Sequence, residues 1–217
     1  MSEFKSISLA DQVFEKLEND IILGVIPRGE LLTELKLVEM LGVSRTPIRE
    51  AIRKLEQERL IENTGKGSVV LGITEEDLED IMDIRYHIEA LAAYYATVNM
   101  NEDGIKALAH IMDLQDFYVS IGDMEHLRQA DDAFHDSICS YSKRSVIMDA
   151  LVPLHRKTRR YRRLGENHKD RIEQSLAEHH AIFDAIAAGD PELAKQRTAQ
   201  HIENAKRHML KRGNENG

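Results

Sequence analysis

Over the first third of the chain the apolar positions fall into three short helical repeats followed by a pair of extended runs. Val13, Leu17, Ile21 and Ile22 recur behind the capping pattern Ser8-Leu9-Ala10-Asp11 and predict a helix through about Leu23. A second, shorter pattern covers residues 33–41 and stops at Gly42, a residue suited to the left-handed position that ends a helix. Ile48, Ala51, Ile52 and Leu55 then form the apolar face of a third helix, with Ser44 placed as its N-cap and Pro47 in its first turn, where a missing N–H costs little. Beyond it, Leu60-Ile61-Glu62-Asn63 and Ser68-Val69-Val70-Leu71 flank Thr64-Gly65-Lys66-Gly67, which predicts a hairpin with a basic tip.

From Thr74 onward no strand pattern occurs, and helical repeats cover roughly 75–97, 102–120, 123–140, 143–164, 168–188 and 191–212. Asp190 followed by Pro191 is the clearest of these helix starts. The expected fold is mainly α. A loose tail (1–7) precedes a winged helix-turn-helix unit (8–72), and an antiparallel bundle of about six helices follows (73–213).

Composition narrows the setting. With 42% hydrophobic residues in 217 the chain can bury real cores, and the single Cys139 excludes a disulfide framework. No signal peptide or membrane-length apolar run is present, so a cytoplasmic protein with no membrane partner is expected. The formal charge of −9 argues at first against a polyanionic partner. It is unevenly spread, however: residues 1–72 hold 10 Lys/Arg against 12 Asp/Glu, and most of the negative excess lies beyond them. Binding to DNA would then depend on local placement of cations.

That placement is visible on the third helix. Arg45, Arg49 and Arg53 recur every four residues and put three guanidinium groups along one flank while the apolar face docks on a core. A helix, a Gly turn and a basic helix make a helix-turn-helix whose second helix enters the major groove. Arg45 and Arg49 are expected to reach base edges or nearby phosphates, with Arg53 on the same flank, and Ser44, Thr46 and the Lys66-Gly67 wing tip to position on the backbone.

The run Gly42-Val43-Ser44-Arg45-Thr46-Pro47-Ile48-Arg49-Glu50-Ala51, with Leu55-Glu56 and Gly65-Lys66-Gly67, resembles the winged-helix domain of GntR-family bacterial transcription regulators. The segment Gly24-Val25-Ile26-Pro27-Arg28-Gly29-Glu30-Leu31-Leu32 is also similar to the family's stretch before the turn. Two positions depart from the pattern: Leu35 stands where many members carry a basic DNA-contacting residue, and Arg59 replaces a frequent glycine.

In the second domain, polar side chains interrupt the apolar stripes. Leu127, Asp131, Phe134 and Ile138 share a face, with His135 four residues after Asp131; His179 falls within Ile172, Leu176, Phe183 and Ile186; His201 follows Ala194 and Thr198. Burying such groups without partners costs several kcal/mol. One Asp and three His converging inside a bundle make a plausible mononuclear site for a divalent metal, zinc first, with nickel, manganese or iron as alternatives. Asp131-Asp132-Ala133-Phe134-His135, Glu178-His179 and Gly189-Asp190-Pro191 followed by His201 resemble the metal-binding form of the FCD domain, the effector domain of the FadR subfamily within GntR. The resemblance implies that Asp131, His135, His179 and His201 are the metal ligands.

Arg85 projects into the apolar arc Leu78, Ile81, Ile84, Ile88, Leu91, Ala92 and Tyr95, either to pair with Glu89 or to clasp an effector carboxylate. The basic run 155–163 reads mainly as a solvated face, with Arg162 at its inner edge as a second effector candidate. The expected protein is a homodimeric repressor, not an enzyme, whose affinity for double-stranded operator DNA is set by a small carboxylate at the metal. Two rivals are a metal-sensing regulator with no organic effector and a metal-dependent hydrolase. The hydrolase lacks an inward carboxylate clearly free to act as general base.

Overall fold

The computed structural model describes residues 7–165 and 169–213, with side chains for 7–158 and 169–210. The chain divides into two compact units, Met1–Thr74 and Glu75–Gly217.

The first unit holds α1 (Leu9–Ile22), β1 (Leu31–Leu32), α2 (Glu34–Leu41), α3 (Arg45–Gln57), β2 (Ile61–Asn63) and β3 (Ser68–Val70). The Ser8 and Thr33 side chains accept hydrogen bonds from the third residues of α1 and α2, and Gly42 ends α2 in the left-handed region at φ 67°. Leu17, Leu37, Ile48, Ala51 and Leu55 are fully buried in one core. The sheet order is β1-β3-β2, all antiparallel. β1, absent from the sequence expectation, explains Gly67: a Cβ there would lie 2.7 Å from the Leu32 carbonyl.

The second unit has no strand among its described residues and is built of α4 (Glu75–Asn99), α5 (Glu102–Ile121), α6 (Met124–Tyr141), α7 (Ser145–Gly165), α8 (Lys169–Ala187) and α9 (Pro191–Gly213). Its core gathers Ala93, Ala96, Leu108, Met112, Phe134, Ile138, Ile182 and Ile186, and α4 packs most extensively on α9. One sequence expectation is corrected. Ile84 and Leu91 are exposed, and the buried face of α4 runs instead through Leu78, Met82, Arg85, Glu89, Ala92, Ala93 and Ala96. Alanines let α9 approach closely, so the helix buries its small residues and leaves those two larger ones outside.

Candidate functional site

In the second unit α6, α8 and α9 bring His135, His179 and His201 together, all buried, with one nitrogen of each within 4.8 Å of the others. Their ring centroids lie 4.6 to 5.2 Å apart. The Nδ1 atoms point outward from this centre. His179 Nδ1 is 2.8 Å from Gln115 Oε1, His201 Nδ1 is 2.7 Å from Glu178 Oε2, and His135 Nδ1 is 3.1 Å from Glu89 Oε2. Since these partners accept, each Nδ1 donates, which leaves Nε2 as the nitrogen available to a ligand; in His179 and His201 it carries a lone pair.

Two of those lone pairs confront each other, His179 Nε2 lying 3.4 Å from His201 Nε2. Protonation does not relieve the contact at neutral pH. Burial, reinforced by the neighbouring His201, pushes the His179 pKa well below the ordinary imidazole value, and burial lowers that of His201 despite Glu178. Three buried imidazoles gathered around one point are a donor set that could hold a divalent cation. Asp131, half-buried on α6, has Oδ1 3.7 Å from His179 Nε2 and borders the trio without joining it within 4.8 Å.

A cavity of about 100 Å³ opens beside the trio, lined by Asp131, the three histidines and the cations Arg85, Arg128 and Arg171. Each cation also touches an acid: Arg85 Nε donates to Glu89 at 2.6 Å, Arg128 to Glu125 at 2.9 Å and Arg171 to Glu178 at 3.2 Å. Arg85 therefore both makes the salt bridge that its spacing allowed and lines the cavity. Its Nη1 donates to the buried Thr158 hydroxyl at 3.0 Å. Burial pushes the Glu89 carboxyl up, but Arg85, His155 and His135 together hold it well below the usual carboxylate range. The Arg162 side chain lies outside the described residues.

Three features were not found by sequence reasoning. Gln115, 1% exposed, follows Leu108 and Met112 at helical spacing, so the test for polar residues on an apolar face applied to α5 would have found it. Glu89 shows in the sequence only as a partner for Arg85, whereas in the fold it also reaches His135 and His155. His155 is buried with its Nε2 3.0 Å from Glu89, and its position at the head of a basic run concealed that role.

In the first unit, α3 exposes Arg45, Thr46, Arg49 and Arg53 on the side opposite its buried Ile48, Ala51 and Leu55. Ser44 occupies the N-cap position in extended backbone, yet its side chain makes no capping hydrogen bond, contrary to the expectation. Arg49 is not idle: its Nε donates to Glu34 Oε1 on α2 at 2.7 Å, which ties the two helices of the motif. Lys66 is exposed on a wing turn closed by Thr64, whose N–H and hydroxyl both donate to the Gly67 carbonyl.

Comparison with known proteins matches residues 9–71 to the profile "Bacterial regulatory proteins, gntR family" and residues 80–204 to the FCD domain. An HTH-type transcriptional regulator of Bacillus subtilis (strain 168), YdhC, is 28% identical over 211 residues, spanning 94% of either chain. The gluconate operon transcriptional repressor of Bacillus licheniformis is 27% identical over 198 residues, spanning 87% of this chain and 79% of that protein. Among solved structures, E. coli McbR/YncC superposes with a TM-score of 0.77 at 21% identity, covering 96% of this chain and all of the other.

Proposed function

Because the chain belongs to the gntR family of bacterial regulatory proteins and carries an FCD domain, it is a transcription regulator and not an enzyme, and we propose that it is a repressor gated by a small carboxylate at a metal centre. In this reading residues 8–72 bind operator DNA, and residues 73–213 hold the metal, the effector and the homodimer contact. No helix among the described residues is long and apolar enough to cross a membrane. The cytoplasm, where the operator lies, is its proposed place of action.

The observation that carries the metal assignment is the 3.4 Å approach of His179 Nε2 to His201 Nε2 within a buried group of three imidazoles. His135, His179 and His201 are the proposed ligands through Nε2, with Asp131 as the carboxylate ligand at the cavity edge. Zinc suits this set best, and nickel, manganese or iron remain chemically compatible. A bound ion would supply electrophilic coordination positions on the cavity side for an oxygen ligand.

The cavity walls favour an organic acid. Arg85, Arg128 and Arg171 surround a space large enough for only a small molecule, and apolar Val119, Leu127, Ile172 and Met209 complete it. A sugar acid or hydroxy acid is the proposed class, in keeping with the repressor of a gluconate operon among the relatives. Arg85 on α4 is the first proposed carboxylate-binding residue, and Arg162 on α7 is the second. On the DNA side, Arg45, Arg49 and Arg53 are assigned to base edges and adjacent phosphates, and Ser44, Thr46, Lys66 and Gly67 to the backbone.

Elemental analysis of purified protein, paired with a thermal-shift screen of small carboxylates on metal-loaded and chelated samples, tests the proposal. Stabilisation by an acid only when metal is present is the expected result. Metal without any stabilising acid would move the protein to the metal-sensing class, and absence of metal under replete conditions would refute the centre.

A further inference from the structure

The three residues that take the imidazole Nδ1 protons come from three different helices: Glu89 from α4, Gln115 from α5 and Glu178 from α8. Each of these acceptors is itself held from a second side. Gln115 Nε2 donates to the Ala130 carbonyl at 3.2 Å, which fixes its amide so that the oxygen, and not the nitrogen, faces His179. Glu178 Oε1 accepts from Asn204 at 2.7 Å while Oε2 serves His201 and Arg171. Glu89 Oε1 takes Arg85 and His155, and its Oε2 is left for His135.

An imidazole has two nitrogens that can each carry the proton, and a metal ligand must present the bare one. We propose that Glu89, Gln115 and Glu178 are positioning residues that commit His135, His179 and His201 together to the Nδ1–H tautomer, and so dictate coordination through Nε2 alone. The inference rests on the metal reading above and adds to it the residues that make the trio a ligand set. None of the three acceptors touches the centre; each acts through the ring it holds.

The three arms differ in kind. Gln115 is a neutral acceptor to the most deeply buried ring. Glu89 and Glu178 are carboxylates, each countered by an arginine, and they make their imidazoles stronger donors. The cavity reaches the Glu178 arm most directly at the shared oxygen, because Arg171 lines the cavity and contacts the same Oε2 that holds His201. An anion drawn to Arg171 would therefore alter the hold on His201.

The test uses the full chain with ¹⁵N-labelled histidine. Long-range proton–nitrogen correlation spectra of chelated protein report each ring's tautomer, and competition with a chelator reports zinc affinity. Chelated wild-type protein should show all three rings as Nδ1–H. Glu178→Ala should lose that signature at His201 alone and weaken zinc binding roughly 10- to 100-fold, and Glu178→Gln, which keeps an acceptor oxygen, should bring affinity back to within a few-fold. Gln115→Met, on another helix, repeats the test at His179 should Glu178→Ala fail to fold. Zinc bound by both variants as tightly as by wild type, with unchanged tautomers, would overturn the proposal while leaving the metal centre intact. No zinc binding by wild-type protein would instead overturn the metal reading itself.

Discussion

Arg59 holds φ at 57°, in the left-handed region that costs an L side chain about 1–2 kcal/mol. This is the position where Arg59 replaces a glycine frequent in the family that the sequence resembles. Glycine would remove that cost but bring more backbone freedom to lose on folding, so Arg59→Gly should raise stability by up to about 1 kcal/mol, seen as a higher urea midpoint at unchanged slope. Deeper in the chain, Arg85 and Glu89 form a pair that is nearly inaccessible, at 2% and 5% side-chain exposure. Removing one member leaves the other charged and buried, so Arg85→Met should cost about 3–5 kcal/mol in denaturant unfolding, and Arg85→Met/Glu89→Gln less than the sum of the two single changes. His155 offers a pH signature of the same cluster. Burial lowers its pKa, but Glu89 at 3.0 Å and Asp136 at 3.5 Å outweigh burial and hold it above the ordinary imidazole value. A raised folded pKa contributes stability that is complete below about pH 6.5, the unfolded value, and is lost as pH rises through the folded one. The deficit of His155→Gln relative to wild type should accordingly be larger at pH 6 than at pH 9; equal deficits would mean that the ring is neutral in the fold.

The helices of both units were legible to within about two residues, because the chain marks their ends chemically: Ser8, Thr33, Asn101 and Asp190 at starts, Gly42 and Gly122 at stops. Faces were less legible than ends. On α4 the alanines, Arg85 and Glu89 go inward and Ile84 and Leu91 outward, since the fit to α6, α7 and α9 and not side-chain hydropathy decides which stripe is buried. The two-residue β1 is too short to show any alternation. The three histidines stand out as polar residues within apolar stripes, and Gln115 obeys the same rule on α5. Partners such as Glu178, by contrast, depend on α8 meeting α9, which no spacing encodes. The recognition helix shows the same limit: α3 displayed its arginines in the sequence, but only the fold pairs Arg49 with Glu34. Both members of that pair are solvent-exposed, so it contributes little to stability, and DNA can take Arg49 from it cheaply. Operator affinity, measured by fluorescence anisotropy, should therefore change by less than about tenfold in Glu34→Ala, whereas Arg49→Ala should lose about 1–3 kcal/mol if it reads a base. An Arg49→Ala protein that binds normally would strike Arg49 from the contacts.

Each unit of the molecule closes its own core, around Leu17, Leu37 and Leu55 in one and around Leu108, Phe134 and Ile182 in the other. The proposed chemistry is divided the same way, with the arginine flank in the first and the histidine trio and its cavity in the second. Regulation then requires that the acid bind DNA-competent and DNA-incompetent arrangements of the protein with different affinity, because a ligand indifferent to the two shifts nothing however tightly it binds. That requirement has a reciprocal form independent of any structural route between the units. If the acid weakens operator binding by some factor, operator must weaken acid binding by the same factor, and couplings of this type usually amount to about 1–3 kcal/mol, or roughly 5- to 150-fold. Calorimetric titration of the stabilising acid into metal-loaded protein, with and without saturating operator duplex, measures one side of the cycle, and anisotropy of the operator with and without the acid measures the other. Equal factors that both vanish on chelation would tie the gate to the histidine centre. Acid affinity that ignores operator would show that the cavity binds its ligand without controlling the DNA.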